Sequence, residues 1–185
     1  IVHYMCQQSI INYLSNFFEQ DDLEDIKSLV INEKTDTKFI KNNARDIKHY
    51  LETIKILDPA IGSGAFPMDM LHEIVQVLSN LDKTADTAEL KRQVIENSIY
   101  GVDIENSAVE IAKLRFWLSI VVDEEKPQPL PNLRYKIMVG NSLIETINGF
   151  DPLKLHGNTN EIKFLKEKFH RYFNASNNNE KAQIN

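Results

Sequence analysis

The chain has 185 residues, 42% of them hydrophobic and 26% charged, with a formal charge of −6. That length suits one domain with a single core, and the composition is an ordinary globular one with no apolar run long enough to cross a membrane. The acid excess argues against a self-sufficient DNA-binding module, which usually presents a basic surface, although residues 151–185 hold 6 basic against 4 acidic side chains and residues 1–150 hold 15 against 23.

Residues 1–18 predict an amphipathic helix, with Val2, Met5, Ser9, Ile10, Tyr13 and Phe17 recurring at helical spacing. Gln20 to Asp22 breaks it, and Asp22 is placed to cap a short helix through Val30. Asn32 to Asp36 is a polar turn. Asn43 to Thr53 predicts another helix, with Ile47, Tyr50, Leu51 and Ile54 on one side. Ile54 to Leu57 is a short strand, closed by Asp58, Pro59 and a glycine-containing loop. Ala65 to Leu81 predicts a strong helix whose apolar face is Met70, Leu71, Ile74, Val77, Leu78 and Leu81. Lys83 to Asn97 predicts an exposed helix. Ile99 to Val102 is a second strand, ended by Asp103, and Asn106 to Val122 is a helix with Ala108, Ile111, Leu114, Leu118 and Val121 as its stripe. Pro127 to Pro131 reads as an extended loop, since each proline fixes its own backbone and restricts its neighbour. Tyr135 to Val139 is a third strand, Thr159 to Phe173 a charged helix, and the Asn-rich tail from Asn174 is expected to fray. Strand, helix, strand, helix, strand is the order of a parallel α/β sheet with right-handed crossovers. The expected organisation is an N-terminal helical segment over 1–53, an α/β core over 54–150, and a helix with its tail over 151–185.

The sharpest local feature is Asp58-Pro-Ala-Ile-Gly-Ser-Gly-Ala-Phe66, which follows a strand and opens a helix. Ligands of open parallel sheets bind beyond the carboxyl ends of the strands. Gly62 and Gly64 allow close backbone approach, and the helix start offers free N–H groups. A glycine turn that merely joins strand to helix is the alternative. A dinucleotide fingerprint needs a third glycine where Pro67 stands, and a phosphate loop needs a Gly-Lys-Ser/Thr that is absent. Asp103, at the end of the second strand, is a candidate to accept both hydroxyls of a ribose, with Ile104 flat against an adenine; a simple cap for the following helix is the alternative. Asn141 and Ser142, after the third strand, suit an adenine edge, with Leu143 as apolar cover; an ordinary turn is the alternative. These three loops are expected at consecutive strand ends, where one nucleoside-like ligand could touch them all.

These residues resemble the adenine-N6 DNA methyltransferases that use S-adenosylmethionine, and more narrowly the methylase part of bacterial single-chain type II restriction–modification enzymes. The family's first cofactor motif is Asp-Pro-Ala-x-Gly-Ser-Gly-x-Phe, matched from Asp58 to Phe66 except that Ile61 stands where relatives often carry Cys, a position whose side chain is not expected to be essential. The resemblance implies a Rossmann-like S-adenosylmethionine-dependent methyltransferase fold over roughly residues 1–150. It implies that Asp58, Ala60, Gly62 and Gly64 surround the methionine part of the cofactor, within a motif that also contains Pro59 and Phe66. Asp103 would hold the ribose, Ile104 would pack on the adenine, and Asn141, Ser142 and Leu143 would form the adenine-edge motif. Many relatives have Asp at position 141; an amide oxygen still accepts a hydrogen bond but lacks the carboxylate charge. Residues 1–10 are similar to the helix that follows the family's Tyr-Thr-Pro motif, and the chain, starting at Ile1, is expected to begin inside a longer protein.

The family's catalytic Asn/Asp-Pro-Pro-Tyr/Phe motif holds the extruded base, and no Pro-Pro pair occurs here: the six prolines are at 59, 67, 127, 129, 131 and 152. The expectation is therefore a cofactor-binding part, inactive by itself, whose parent protein methylates adenine N6 in DNA in the bacterial cytoplasm, with DNA contact, target recognition and catalysis completed elsewhere. A non-catalytic cofactor-binding module, a nicotinamide-dependent dehydrogenase and a structural subunit are the competing readings. The five histidines are scattered and no metal site is expected. His72 is expected to be exposed, Phe116 and Trp117 to serve the core or an interface, and Cys6, the single cysteine, to be a small core residue.

Overall fold

The computed structural model describes residues 1–124, 133, 135–144 and 167. The expected proline loop and charged tail lie outside the described residues, as does the expected helix from Thr159 apart from Glu167. The chain divides into two compact units, Ile1–Ser142 and Leu143–Asn185. Of the second, Leu143 and Ile144 are exposed.

The first unit opens with three helices, α1 (Val2–Leu14), α2 (Leu23–Asn32) and α3 (Lys38–Thr53). A single 3-10 turn, Gln20–Asp22, precedes α2. Asp22 occupies the cap position of α2 but makes no side-chain cap bond. The α3 helix starts before Asn43 because Thr37 caps it, accepting the Ile40 N–H at 3.3 Å. Three parallel strands follow in chain order, β1 (Ile56–Asp58), β2 (Ile99–Asp103) and β3 (Ile137–Val139), each beside the next. Ile56 pairs with Ile99, and Gly101 with Ile137. Between the strands run α4 (Ala65–Leu81), α5 (Thr87–Ser98) and α6 (Asn106–Val121). This is a partial Rossmann-like α/β fold.

One face of the sheet is covered: Ile56, Ile99, Gly101 and Ile137 are buried. The other face carries Leu57 and Met138, which are 64% and 40% exposed. There the buried Lys136 sets its ammonium 3.9 Å from the centre of the Tyr100 ring, a cation–π contact. Helix α4 is the hub of the helical layer, packing against α1, α5, α3 and β1. Its predicted face is buried as expected, with Leu81 only partly so, and Pro67, Met68, Glu73 and Val75 widen it.

Three helical faces differ from the periodicity. In α1 the buried set is Cys6, Ile10, Ile11 and Leu14, while Met5 is 51% exposed, because α4 and α2 meet the neighbouring stripe. Helix α5 is not an exposed helix: Ala88, Leu90, Val94, Ile95 and Ser98 are buried between α4, α6 and α3. In α6 the buried residues are Val109, Ala112, Phe116 and Ile120, whereas Ile111, Leu114 and Leu118 are 49%, 51% and 45% exposed. That helix is apolar nearly all round, so its sequence offers two stripes, and the sheet and the start of α4 select one.

Candidate functional site

The loop between β1 and α4 is built from four backbone devices. Asp58 accepts the Ala60 N–H at 3.0 Å, which turns the chain sharply after the strand. The Ile61 N–H reaches the Val102 carbonyl at 3.0 Å and so continues the pairing with β2 beyond the end of β1. The Gly62 N–H donates to Asp103 Oδ2 at 2.7 Å. Finally, the Gly64 N–H closes on the Ile61 carbonyl at 2.9 Å.

Both glycines sit in the left-handed region, Gly62 at φ 52° and Gly64 at φ 83°, where a side chain would strain the backbone. They differ in what surrounds them. A Cβ at Gly64 would stand 3.3 Å from Ala112 Cβ, so this glycine lets α4 begin close against α6. A Cβ at Gly62 would meet nothing within 4 Å, so open space lies over that peptide.

Ile61, expected to be dispensable, is 3% exposed and fills the space over β2. A Cβ at Gly101 would fall 2.2 Å from Ile61 Cδ1. Ile61 is thus a core wedge matched to a glycine.

Asp103 joins all three loops. Its Oδ2 takes the Gly62 N–H, its Oδ1 takes the Glu105 N–H at 3.0 Å, and its backbone carbonyl accepts the Gly140 N–H at 2.8 Å. The backbone N–H groups of Glu105 and Gly62, with that of Ile104, hold its carboxyl below the usual carboxylate range, against the opposing effect of burial. The residue therefore turns the chain into α6, whose cap position is Glu105. With Ile104 N–H as a third backbone partner, the carboxylate keeps one of its four acceptor positions for an outside donor.

Around this knot, Asp58 and Phe66 are partly buried, and Pro59, Ala60 and Ser63 are exposed. Ile104 is 67% exposed, an apolar side chain held at the strand ends. Asn141 and Ser142 follow β3 and are exposed. Leu143 begins the second unit, where it too is exposed. The fold thus draws the ends of β1, β2 and β3 together through Asp103. His72 is exposed, Phe116 is buried and Cys6 is buried.

Two residues were not singled out from the sequence. Arg115 of α6 donates through Nη1 to the Ser63 carbonyl at 3.0 Å and to Ser63 Oγ at 3.4 Å. Its signal was an isolated cation in the apolar stretch 114–118. Glu73 of α4 is 4% exposed and meets His3 Nδ1 of α1 at 2.6 Å. Its signal was a carboxylate among the apolar residues 70–78. Among the described residues no group of three or more His, Cys, Asp and Glu side chains is placed to hold a metal ion. Among the same residues no helix is long and apolar enough to cross a membrane.

A parallel α/β sheet with a glycine loop after its first strand and an acid at the end of its second is the framework of a Rossmann-like fold. The family model described as the MmeI DNA-methyltransferase domain matches residues 32–129, more than half of the chain, and the chain belongs to that family. A second model, the Eco57I restriction-modification methylase, matches residues 97–185. A protein of Methanocaldococcus jannaschii named as a type II restriction enzyme and methyltransferase is 38% identical over 129 residues, 64% of this chain. The adenine-specific methyltransferase BrxX of Escherichia coli is 27% identical over 117 residues, 60% of this chain. The aligned parts are only 11% and 9% of those two proteins, one archaeal and one bacterial.

Proposed function

We propose that this chain is the cofactor-binding part of a DNA methyltransferase that moves a methyl group from S-adenosylmethionine to adenine N6 within a restriction–modification system. The observation that carries the reading is Asp103, whose carboxylate ties the glycine loop to the end of β2 while keeping an acceptor position for a ribose hydroxyl. The residues present fit such a cofactor. Open space lies over Gly62, an ionised acid stands beside it, and Ile104 offers an exposed apolar surface for a purine.

In this reading Asp58, Pro59, Ala60, Gly62, Gly64 and Phe66 form the seat for the amino-acid end. Asp103 holds the ribose, Ile104 covers the adenine, and Asn141 and Ser142 meet the adenine edge. The bound cofactor supplies an activated methyl group, and the work of these side chains is to hold it in one orientation. The description of the matching family model supports DNA as the methyl acceptor, and the name of BrxX supports adenine. No Pro-Pro pair exists in the sequence, so the groups that receive the target base are assigned to the parent protein and the chain alone is expected to transfer no methyl group. The DNA contact and the cytoplasmic location belong to the same proposal.

The test is calorimetric titration of the chain with S-adenosylmethionine, Asp103→Ala serving as control. Binding that is lost in the variant supports the assigned ribose site. Binding unaffected by the variant sinks that assignment. Titration with a nicotinamide dinucleotide addresses the dehydrogenase reading, which Pro67 at the third glycine position disfavours.

A further inference from the structure

Ser63 lies between two left-handed glycines, Gly62 and Gly64. Glycine populates both signs of φ with similar ease, so a peptide flanked by such residues flips at low cost unless something selects one orientation. The N–H groups of Ile61, Gly62 and Gly64 are each held, by Val102, Asp103 and Ile61 in turn. The Gly64 carbonyl is taken by the Met68 N–H as α4 begins. The Ser63 carbonyl has a partner from outside the loop, the Arg115 guanidinium, which also approaches Ser63 Oγ. A planar guanidinium can present two donors to two neighbouring oxygens at once. Among the described residues no carboxylate pairs with Arg115, so its charge is directed at the loop. Beneath this contact, Ala112 lies close against Gly64 and Phe116 is buried, which holds α6 at the distance Arg115 requires.

We propose that Arg115 is a positioning residue of the glycine loop beside Asp103, fixing the Ser63 peptide so that residues 60–64 form a seat for the amino-acid end of the cofactor. Assigning a ligand to that seat rests on the function proposed above; fixing the peptide does not. The test therefore has one arm without ligand and one with it.

In the first arm, hydrogen–deuterium exchange is followed residue by residue on the 185-residue chain. Arg115→Ala accelerates exchange of the Gly62 and Gly64 amides about tenfold, as expected for loss of a charge-assisted hydrogen bond, and leaves Ile74 and Leu78 of α4 unchanged. Arg115→Lys, which donates but lacks the planar fork, restores part of the protection. Unchanged loop rates, or equal acceleration in α4, overturn the proposal.

In the second arm, calorimetry compares S-adenosylmethionine with 5′-methylthioadenosine, which lacks the amino-acid end. Arg115→Ala weakens the first about five- to tenfold and the second by less than about twofold. Equal loss for both overturns the assignment of Arg115 to the amino-acid end. If the unsubstituted chain binds neither compound, the cofactor reading itself is overturned, and the exchange arm alone then decides whether Arg115 fixes the loop.

Discussion

The Gly62 N–H donates to Asp103 Oδ2 at 2.7 Å across 41 residues of sequence. One short bond thereby locks the loop after β1 to the end of β2. Because Asp103 also takes the Glu105 N–H, its charge state governs both the glycine loop and the entry into α6.

The sign of the pH effect follows. The Asp103 carboxyl lies below its ordinary value of 3.8 in the folded chain. Its stabilising contribution is therefore present above that ordinary value and is lost as pH falls through the lower folded one. Exchange of the Gly62 amide, corrected for intrinsic rate, should hold constant from about pH 7 to pH 5 and accelerate below about pH 4. In Asp103→Asn that acid-induced loosening should be absent. Asp82, lowered chiefly by the Thr84 hydroxyl and N–H, acts in the same direction on global stability, so the comparison is made at the loop amide. A parent chain whose Gly62 exchange ignores acid refutes the linkage.

Gly101 should tolerate no side chain while Ile61 stands over it. An added Cβ would lie 2.2 Å from Ile61 Cδ1 and 3.0 Å from Ile61 Cβ and Cγ1. Gly101→Ala should destabilise by about 1–3 kcal/mol through overpacking. Adding Ile61→Ala, itself destabilising as a core truncation, should make the two changes non-additive, with a favourable coupling measurable in urea denaturation. Strict additivity would mean that the two residues are not in contact.

Helix α6 offers a direct comparison of its two apolar stripes. Phe116 is fully buried and Ile111 is 49% exposed. Phe116→Ala should cost about 3–5 kcal/mol, and Ile111→Ala much less, about 1 kcal/mol or below. Thermal or urea denaturation of the two variants decides which stripe faces the sheet; the reverse ranking would mean the helix is rotated.

Cys6 is a clean reporter of the α1–α4 contact, being the only cysteine. It is fully buried, with its thiol 3.8 Å from the Phe66 carbonyl oxygen. Burial above all, then the charges of Asp69 and Glu73, push its pKa up to about 12. Because the thiolate is the reactive form, iodoacetamide at pH 8 should modify the folded chain at least about a hundredfold more slowly than the urea-unfolded chain. His3→Ala removes the partner of the buried Glu73 carboxylate and should speed that modification by loosening α1. Rapid labelling of the unaltered folded chain would show that α1 does not stay docked.

The local features of this protein were legible in its amino acids. The span of α4, Ala65–Leu81, matches the periodicity residue for residue, because a long helix with one dominant apolar face carries its own boundary signals. The three strand ends and the glycine loop were equally plain, since Asp58, Gly62, Gly64 and Asp103 do local work in turning the chain. What only the tertiary structure decided were choices between near-equal local options. Helix α6 is apolar on most sides, and contact with Gly64 through Ala112 and Phe116, about fifty residues away in sequence, selected its buried stripe. The charged sequence of α5 conceals a narrow stripe that α3, α4 and α6 bury together. The Arg115–Ser63 contact spans 52 residues, and no periodicity encodes it. Helical and strand periods report which positions share a face; which face is buried depends on the elements that arrive from elsewhere in the chain.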